Sequence, residues 1–209
     1  MNCLKDFSQR VASRAAIRAS AILTAALVLA SCQATTGNRV SVDYYQITGN
    51  STAALDADIR RKGPRLDAGR HAVAIARIKM TPNVQFKRTD GLCEVSKAKV
   101  AVDAKVTLPA WKGRADANKE LGRAWDNIDR YTRLHEATHV NIAFSYAKRI
   151  EDEVLALPSM ASCSQVRSTT KAIVDRNLDE HDAAQRKYDA DEQARFSMLA
   201  KRTKITESL

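Results

Sequence analysis

From Leu121 to Ile150 apolar or bulky side chains recur every three or four residues, at Leu121, Trp125, Ile128, Ile142, Tyr146 and Ile150. That period is one face of an α-helix, and a run this long commits the chain to a helix that buries a stripe along its length. His135 and His139 continue the same stripe. An inward imidazole needs a hydrogen bond or a metal, because burying an unpaired polar group is costly. Glu136 completes the pattern H-E-x-x-H over 135–139. Two histidines four apart have Cβ atoms about 5–6 Å apart, so both rings can reach one ion at about 2.0–2.1 Å. Glu136 points roughly 100° round the helix from His135, beside the ion, where its carboxylate can take a proton from a zinc-activated water. The spacing marks His135 and His139 as metal ligands, Glu136 as the catalytic base and Zn2+ as the cofactor. The competing reading is two core histidines satisfied by hydrogen bonds.

The chain opens with Lys5, Arg10, Arg14 and Arg18, followed by an apolar run over 19–30 and then Ser31-Cys32. A charged segment, a short apolar core and small residues at its end make a secretory signal peptide over 1–31. The apolar run is too short to span a bilayer comfortably, which takes about 20 residues. Leu29-Ala30-Ser31-Cys32 resembles a bacterial lipobox, which implies lipidation of Cys32; the alternative is an ordinary signal cut nearby. Gln33 rather than Asp after that cysteine points to the outer membrane by the same resemblance. Cys3 leaves with the signal and Cys32 takes the lipid, so Cys93 and Cys163 remain as one pair, able to form a disulfide in an oxidising compartment. The alternative is two free buried thiols.

Loss of 1–31 removes Lys5, Arg10, Arg14 and Arg18 against Asp6, so the formal net charge of +10 becomes +7. A positive exported chain suits anionic envelope polymers as a partner, although the interspersed acids read equally as a solvated helix surface. An exported protein without a nucleic-acid motif excludes nucleic acid as a partner. No internal repeat is present.

Residues 32–39 are a short tether. Residues 40–47 alternate and carry Tyr44-Tyr45, a strand pattern. Ser51 is an N-cap for a short helix over 53–61, stopped by Gly63-Pro64. Residues 72–80 and 84–87 are β-like on either side of Thr81-Pro82-Asn83, and Asp90-Gly91 turns the chain before 92–95. Residues 99–108 alternate with a slip at Ala104-Lys105, read as a bulge. Helical patterns follow over 116–157, with a break near 126–129, and over 164–200. The fold class expected is α+β: a small, mostly antiparallel sheet packed on a long antiparallel helical hairpin that carries the H-E-x-x-H motif. The domain spans 40–200, with a tail over 201–209.

A catalytic zinc site takes three protein ligands and leaves one position open. Glu151, Asp152 and Glu153 follow His139 by about 18 Å of helix and cannot return to the ion. Counting equal distances either side of a turn at Pro158 brings His181 opposite the motif. His181 is therefore the third-ligand candidate, with Glu180 next and His71 on the sheet behind them; the alternatives for His181 are a core or hairpin-edge position.

Tyr44-Tyr45-Gln46-Ile47-Thr48-Gly49, Leu108-Pro109-Ala110-Trp111, Trp125, Leu134-His135-Glu136-Ala137-Thr138-His139-Val140 and Gln185-Arg186-Lys187-Tyr188-Asp189 together resemble a bacterial family of predicted secreted zinc-dependent proteases. That family was formerly catalogued only as a domain of unknown function. The resemblance covers about 40–189 and implies His135 and His139 as ligands and Glu136 as base. One departure stands out: where the family often has His-Gly shortly after Tyr-Asp, this chain has Ala194-Arg195, so if that histidine is the usual third ligand, either His181 substitutes for it here or the site is altered.

Two functions fit. One is a lipid-anchored zinc metalloprotease acting on peptide or protein substrates at the cell envelope. In it the strand over 99–108 would hold an extended peptide from the sheet edge, and Tyr131 or Tyr188 would stabilise the oxyanion unless each merely packs. The other is a non-catalytic binding or scaffold lipoprotein with a structural metal.

Overall fold

The computed structural model describes residues 37–66, Gly69 and 71–206. The expected signal peptide over 1–31, the expected lipidation site Cys32 and the end of the tail lie outside the described residues. The element order is β1 (Arg39–Ile47), α1 (Thr52–Lys62), β2 (Ile75–Thr89), β3 (Leu92–Trp111), α2 (Lys119–Leu155) and α3 (Cys163–Thr206). The class is α+β, with three strands and three helices. Among the described residues no helix is long and apolar enough to cross a membrane.

The sheet is mixed, in the order β1-β3-β2. β2 and β3 pair antiparallel, but β1 runs parallel to β3, so the expectation of a mostly antiparallel sheet needs correction. The reason is the connection: a parallel pair needs a crossover, and α1 with the β2–β3 hairpin supplies one. Asp90 and Gly91 make the hairpin turn at φ of 51° and 79°, the positive values that a two-residue turn demands.

Two interruptions expected in the strands are not there. β2 runs straight through Pro82, which faces Val100 in register. β2 is an outer strand, and there a proline can sit without removing a ladder hydrogen bond. β3 alternates without a slip at Ala104, because Ala104 is itself an inward residue, fully buried between Val102 and Val106. The register shift falls instead at Gln85/Phe86. β3 is also the central strand: β2 covers one edge, and β1 covers the other from Asp103 on, while the Val100 and Val102 N–H groups before it are taken by the Glu151 and Asn38 side chains.

Ser51 caps α1 by accepting from the Ala54 N–H at 3.2 Å. Asn118 caps α2 by accepting from the Leu121 N–H at 2.9 Å, which satisfies one of the donors orphaned at a helix start. α2 is unbroken through 126–129. Asp126 and Asp129 serve as surface ion-pair partners of Arg114 and Arg133, at 2.6 and 2.8 Å, rather than as helix breakers.

Val140, Ala143, Ala147, Ile150 and Val154 of α2 lie along the inward residues of β3, from Ala98 to Leu108. Ile173, Val174 and Leu178 of α3 close the same core from the other side. A disulfide joins Cys93 of β3 to Cys163, the first residue of α3, and Cys93 and Met160 exchange backbone hydrogen bonds at 2.8 Å. A second cluster, built on Ile47, Leu55, Ile59, Trp111 and Trp125, fastens α1 to the far end of the sheet.

Candidate metal centre

Contacts between α2 and α3 run in reverse order along the two helices. Glu153 meets Arg176 and Asn177, Arg149 meets Glu180, His139 meets Gln185 and Asp189, and Tyr131 meets Glu192. These pairs centre near Cys163 rather than Pro158, because the segment after α2 continues past the proline to the disulfide. The shift carries α3 on by about two turns, and it decides which residue faces the histidines.

That residue is Asp189. His135 Nε2 and His139 Nε2 lie 3.1 Å apart. Asp189 Oδ1 lies 3.3 Å from the first and 3.0 Å from the second. Among the described residues these three atoms form the group that could hold a metal ion. A tetrahedral site with bonds of about 2.0–2.1 Å has ligand–ligand edges of about 3.3–3.4 Å, so the triangle is close to the size that an ion requires. Two imidazoles and a carboxylate are also a donor set suited to zinc. Geometry and donor chemistry therefore both fit.

His181 is not in this triangle. It is buried and borders the same cavity, but its Nε2 faces the Gln185 amide nitrogen at 2.8 Å and its Nδ1 faces Asp182 at 3.0 Å. Glu180 points to Arg149 and Arg176. His71 forms an isolated bridge with Arg65 and does not reach the metal-ligating group. The structure thus places Asp189, and not the expected third ligand His181, beside the two histidine Nε2 atoms.

Burial, followed by the neighbouring His139, holds the His135 imidazole below its ordinary pKa, against the opposing pull of Asp189 and Glu192. The neutral ring is the form that binds a metal. Tyr188 stacks on His135 with ring centres 5.0 Å apart and meets His139 edge-on at 5.1 Å. Tyr131 donates its hydroxyl to Glu192 at 2.7 Å. Tyr188 thus wedges both rings in place, and the Tyr131 hydroxyl is directed at Glu192.

Glu136 is buried, and burial pushes its carboxyl up to about 7, against the stabilising influence of His139 and of the Ala76 N–H, from which it accepts a hydrogen bond. It opens into a cavity of about 470 Å³. One wall of that cavity is polar, with His135, His139, Gln185 and Asp189; the other is apolar, with Leu66, Ala72, Ala74, Ala76 and Ile78. Asp189 is more than half exposed, so solvent reaches the triangle from its side.

Asp189 and Gln185 stand beside the two histidines and were not singled out as candidates from the sequence. Both stand in the closing segment that carries the family resemblance. His181, Gln185, Tyr188, Asp189 and Glu192 also recur at helical spacing, a polar stripe that could have marked the facing side of α3.

No curated protein and no solved structure matches the chain. A family model described as bacterial protein of unknown function, DUF922, matches residues 42–196, a span that holds every residue of the centre described above. The chain therefore belongs to the DUF922 family of bacterial proteins.

Proposed function

We propose that this protein is an exported zinc peptidase in which His135, His139 and Asp189 hold the ion and Glu136 moves the proton. The observation that carries the reading is the convergence of three ligand atoms at 3.0–3.3 Å beside a buried glutamate in an open cavity. On this reading α2 and α3 form an antiparallel hairpin, with the H-E-x-x-H motif on one limb and the third ligand on the other.

Bound zinc would supply Lewis acidity, polarising a scissile carbonyl and making water acidic near neutral pH. Glu136 faces the space between the ligands and the apolar wall, where it can accept the proton of the attacking water and pass it to the leaving amine. Substrate placement is assigned to β2. Among the described residues its outer edge is not paired with a strand, and the Ala76 N–H reaches Glu136, so this edge runs beside the base. An extended peptide added to that edge would carry its carbonyls past Glu136, with side chains of alternate residues turned toward the apolar wall. The β2 edge thus takes the role that the sequence reading gave to 99–108.

The leader over 1–31 and Cys32 support export with a lipid anchor, and the Cys93–Cys163 disulfide suits an oxidising compartment. The decisive comparison is wild type against Glu136→Gln, with zinc content and cleavage of a panel of unfolded proteins measured on both. Zinc in both and cleavage by wild type alone is the expected result, with the rate falling by about 10²–10⁴-fold in the variant. Full activity in Glu136→Gln would overturn the assignment of the base. Zinc without cleavage in wild type would favour the scaffold lipoprotein with a structural metal.

A further inference from the structure

Gln185 lies between two histidines, and each of its contacts restricts the next. Its amide nitrogen is 3.0 Å from the backbone carbonyl oxygen of His139, which can only accept. That contact fixes which end of the amide is nitrogen. The same nitrogen is 2.8 Å from His181 Nε2, so His181 must accept there and carry its proton on Nδ1. Nδ1 is 3.0 Å from Asp182 Oδ1, a carboxylate oxygen ready to accept it. The other end of the amide, Oε1, is 2.5 Å from His139 Nδ1 and can only accept, so His139 must carry its proton on Nδ1. His139 Nε2 is then left with a lone pair, directed at Asp189 Oδ1, itself an acceptor, at 3.0 Å. A proton or a metal ion between them resolves that contact, and the lone pair is free to take either, with His135 Nε2 a further neighbour at 3.1 Å.

We infer that Gln185 is a positioning residue that locks His139 in the tautomer able to bind a metal through Nε2, with His181 and Asp182 backing it. His181 thereby acts on the centre at one remove, through the amide, instead of as a ligand. His135 differs: its Nδ1 is buried with no hydrogen-bond partner, and its ring is held by stacking on Tyr188. The consequence for zinc rests on the metal reading given above; the tautomer does not, because it can be observed without metal. A hydrogen-bond partner that orients a metal-binding imidazole is worth about 10–100-fold in affinity.

The test uses metal-free protein labelled with 15N in its histidines, at a pH where the imidazoles are neutral. Long-range proton–nitrogen correlation then reads the tautomer of each ring. His139 should be the Nδ1–H form in wild type and in Gln185→Glu, whose carboxylate still accepts. It should shift toward the Nε2–H form in Gln185→Leu and Gln185→Met, two apolar variants that guard against a fold defect in either. Zinc affinity, from competition with a chelator, should fall about 10–100-fold in the apolar pair and by less in His181→Phe. An Nε2–H His139 in wild type, or an Nδ1–H form kept in both apolar variants, would overturn the inference. So would apolar variants that bind zinc within twofold of wild type. A wild type that binds no zinc yet shows the tautomer pattern would reject the metal reading and leave the Gln185 relay standing.

Discussion

The same two helices meet in two different ways at their two ends. Near the disulfide, Val166 of α3 is fully buried, Ile150 and Val154 of α2 are buried against hydrocarbon from β3, and the polar pairs of Glu153 with Asn177 and Arg149 with Glu180 lie alongside that core. Toward the other end the contacts become polar: Tyr146 on His181, His139 on Gln185, His135 and His139 on Asp189, and Tyr131 on Glu192. Close-packed hydrocarbon has one good register and resists sliding. The apolar end therefore fixes the register, and the polar end uses it. A cluster built this way keeps its polar groups in position because a rigid shell supports them.

If that division of labour holds, damage to the apolar end should cost stability first. Ile150→Ala removes most of a fully buried side chain, and the expected loss is about 2–5 kcal/mol by denaturant melts. The zinc stoichiometry of the protein that remains folded should be unchanged. A stable Ile150→Ala protein would show that the register is set elsewhere.

The disulfide should come next. Cys93→Ser with Cys163→Ser releases a 70-residue loop and should cost about 2–4 kcal/mol. Measured zinc affinity should also fall, since the start of α3 is what carries Asp189 into place. Loss of stability with unchanged affinity would sharpen the comparison by assigning register to the hydrocarbon alone.

A smaller and local effect is expected in α1, which packs on Leu121 and Trp125 at the start of α2. Asp58 accepts from the Thr48 N–H at 2.9 Å and from Lys62 at 2.7 Å, with Arg61 alongside. Lys62 first, then the Thr48 N–H and Arg61, hold its carboxyl well below the usual range of about 3.8. A folded pKa below the unfolded one adds stability that is present above about pH 4 and is lost as pH falls through the folded value. Asp58→Asn should therefore lower stability at pH 7 and flatten its decline below about pH 4, read by urea melts at pH 7 and pH 3. Zinc content should not change. An unaltered acid limb would remove Asp58 from the account.

How much of this was legible in the sequence follows the same physical line. The Ser51 cap, the Asp90-Gly91 turn, the long helix bearing His135, Glu136 and His139, and the Cys93–Cys163 pair depend on local rules or on simple elimination, and the residues state them. Ala104 was misread because alanine is neutral in an alternation pattern, so only its neighbours show that it faces inward. Pro82 was misread as a break because a proline's cost depends on whether its strand is central or outer. The parallel pairing of β1 depends on where the crossover lands. Asp189 was hidden for a related reason: the register between two helices is set by the segment that joins them and by what it is anchored to. An equal count from Pro158 leads to His181, whereas anchoring at Cys163 leads to Asp189.

The most direct measurement is the zinc content of purified wild type, Asp189→Ala, His139→Ala and His181→Ala, made in parallel at a zinc concentration just above that of the protein. The account predicts one zinc per wild-type chain, most of it lost in Asp189→Ala and His139→Ala, and most of it retained in His181→Ala. Zinc retained in Asp189→Ala and lost in His181→Ala, or none in wild type, would contradict it.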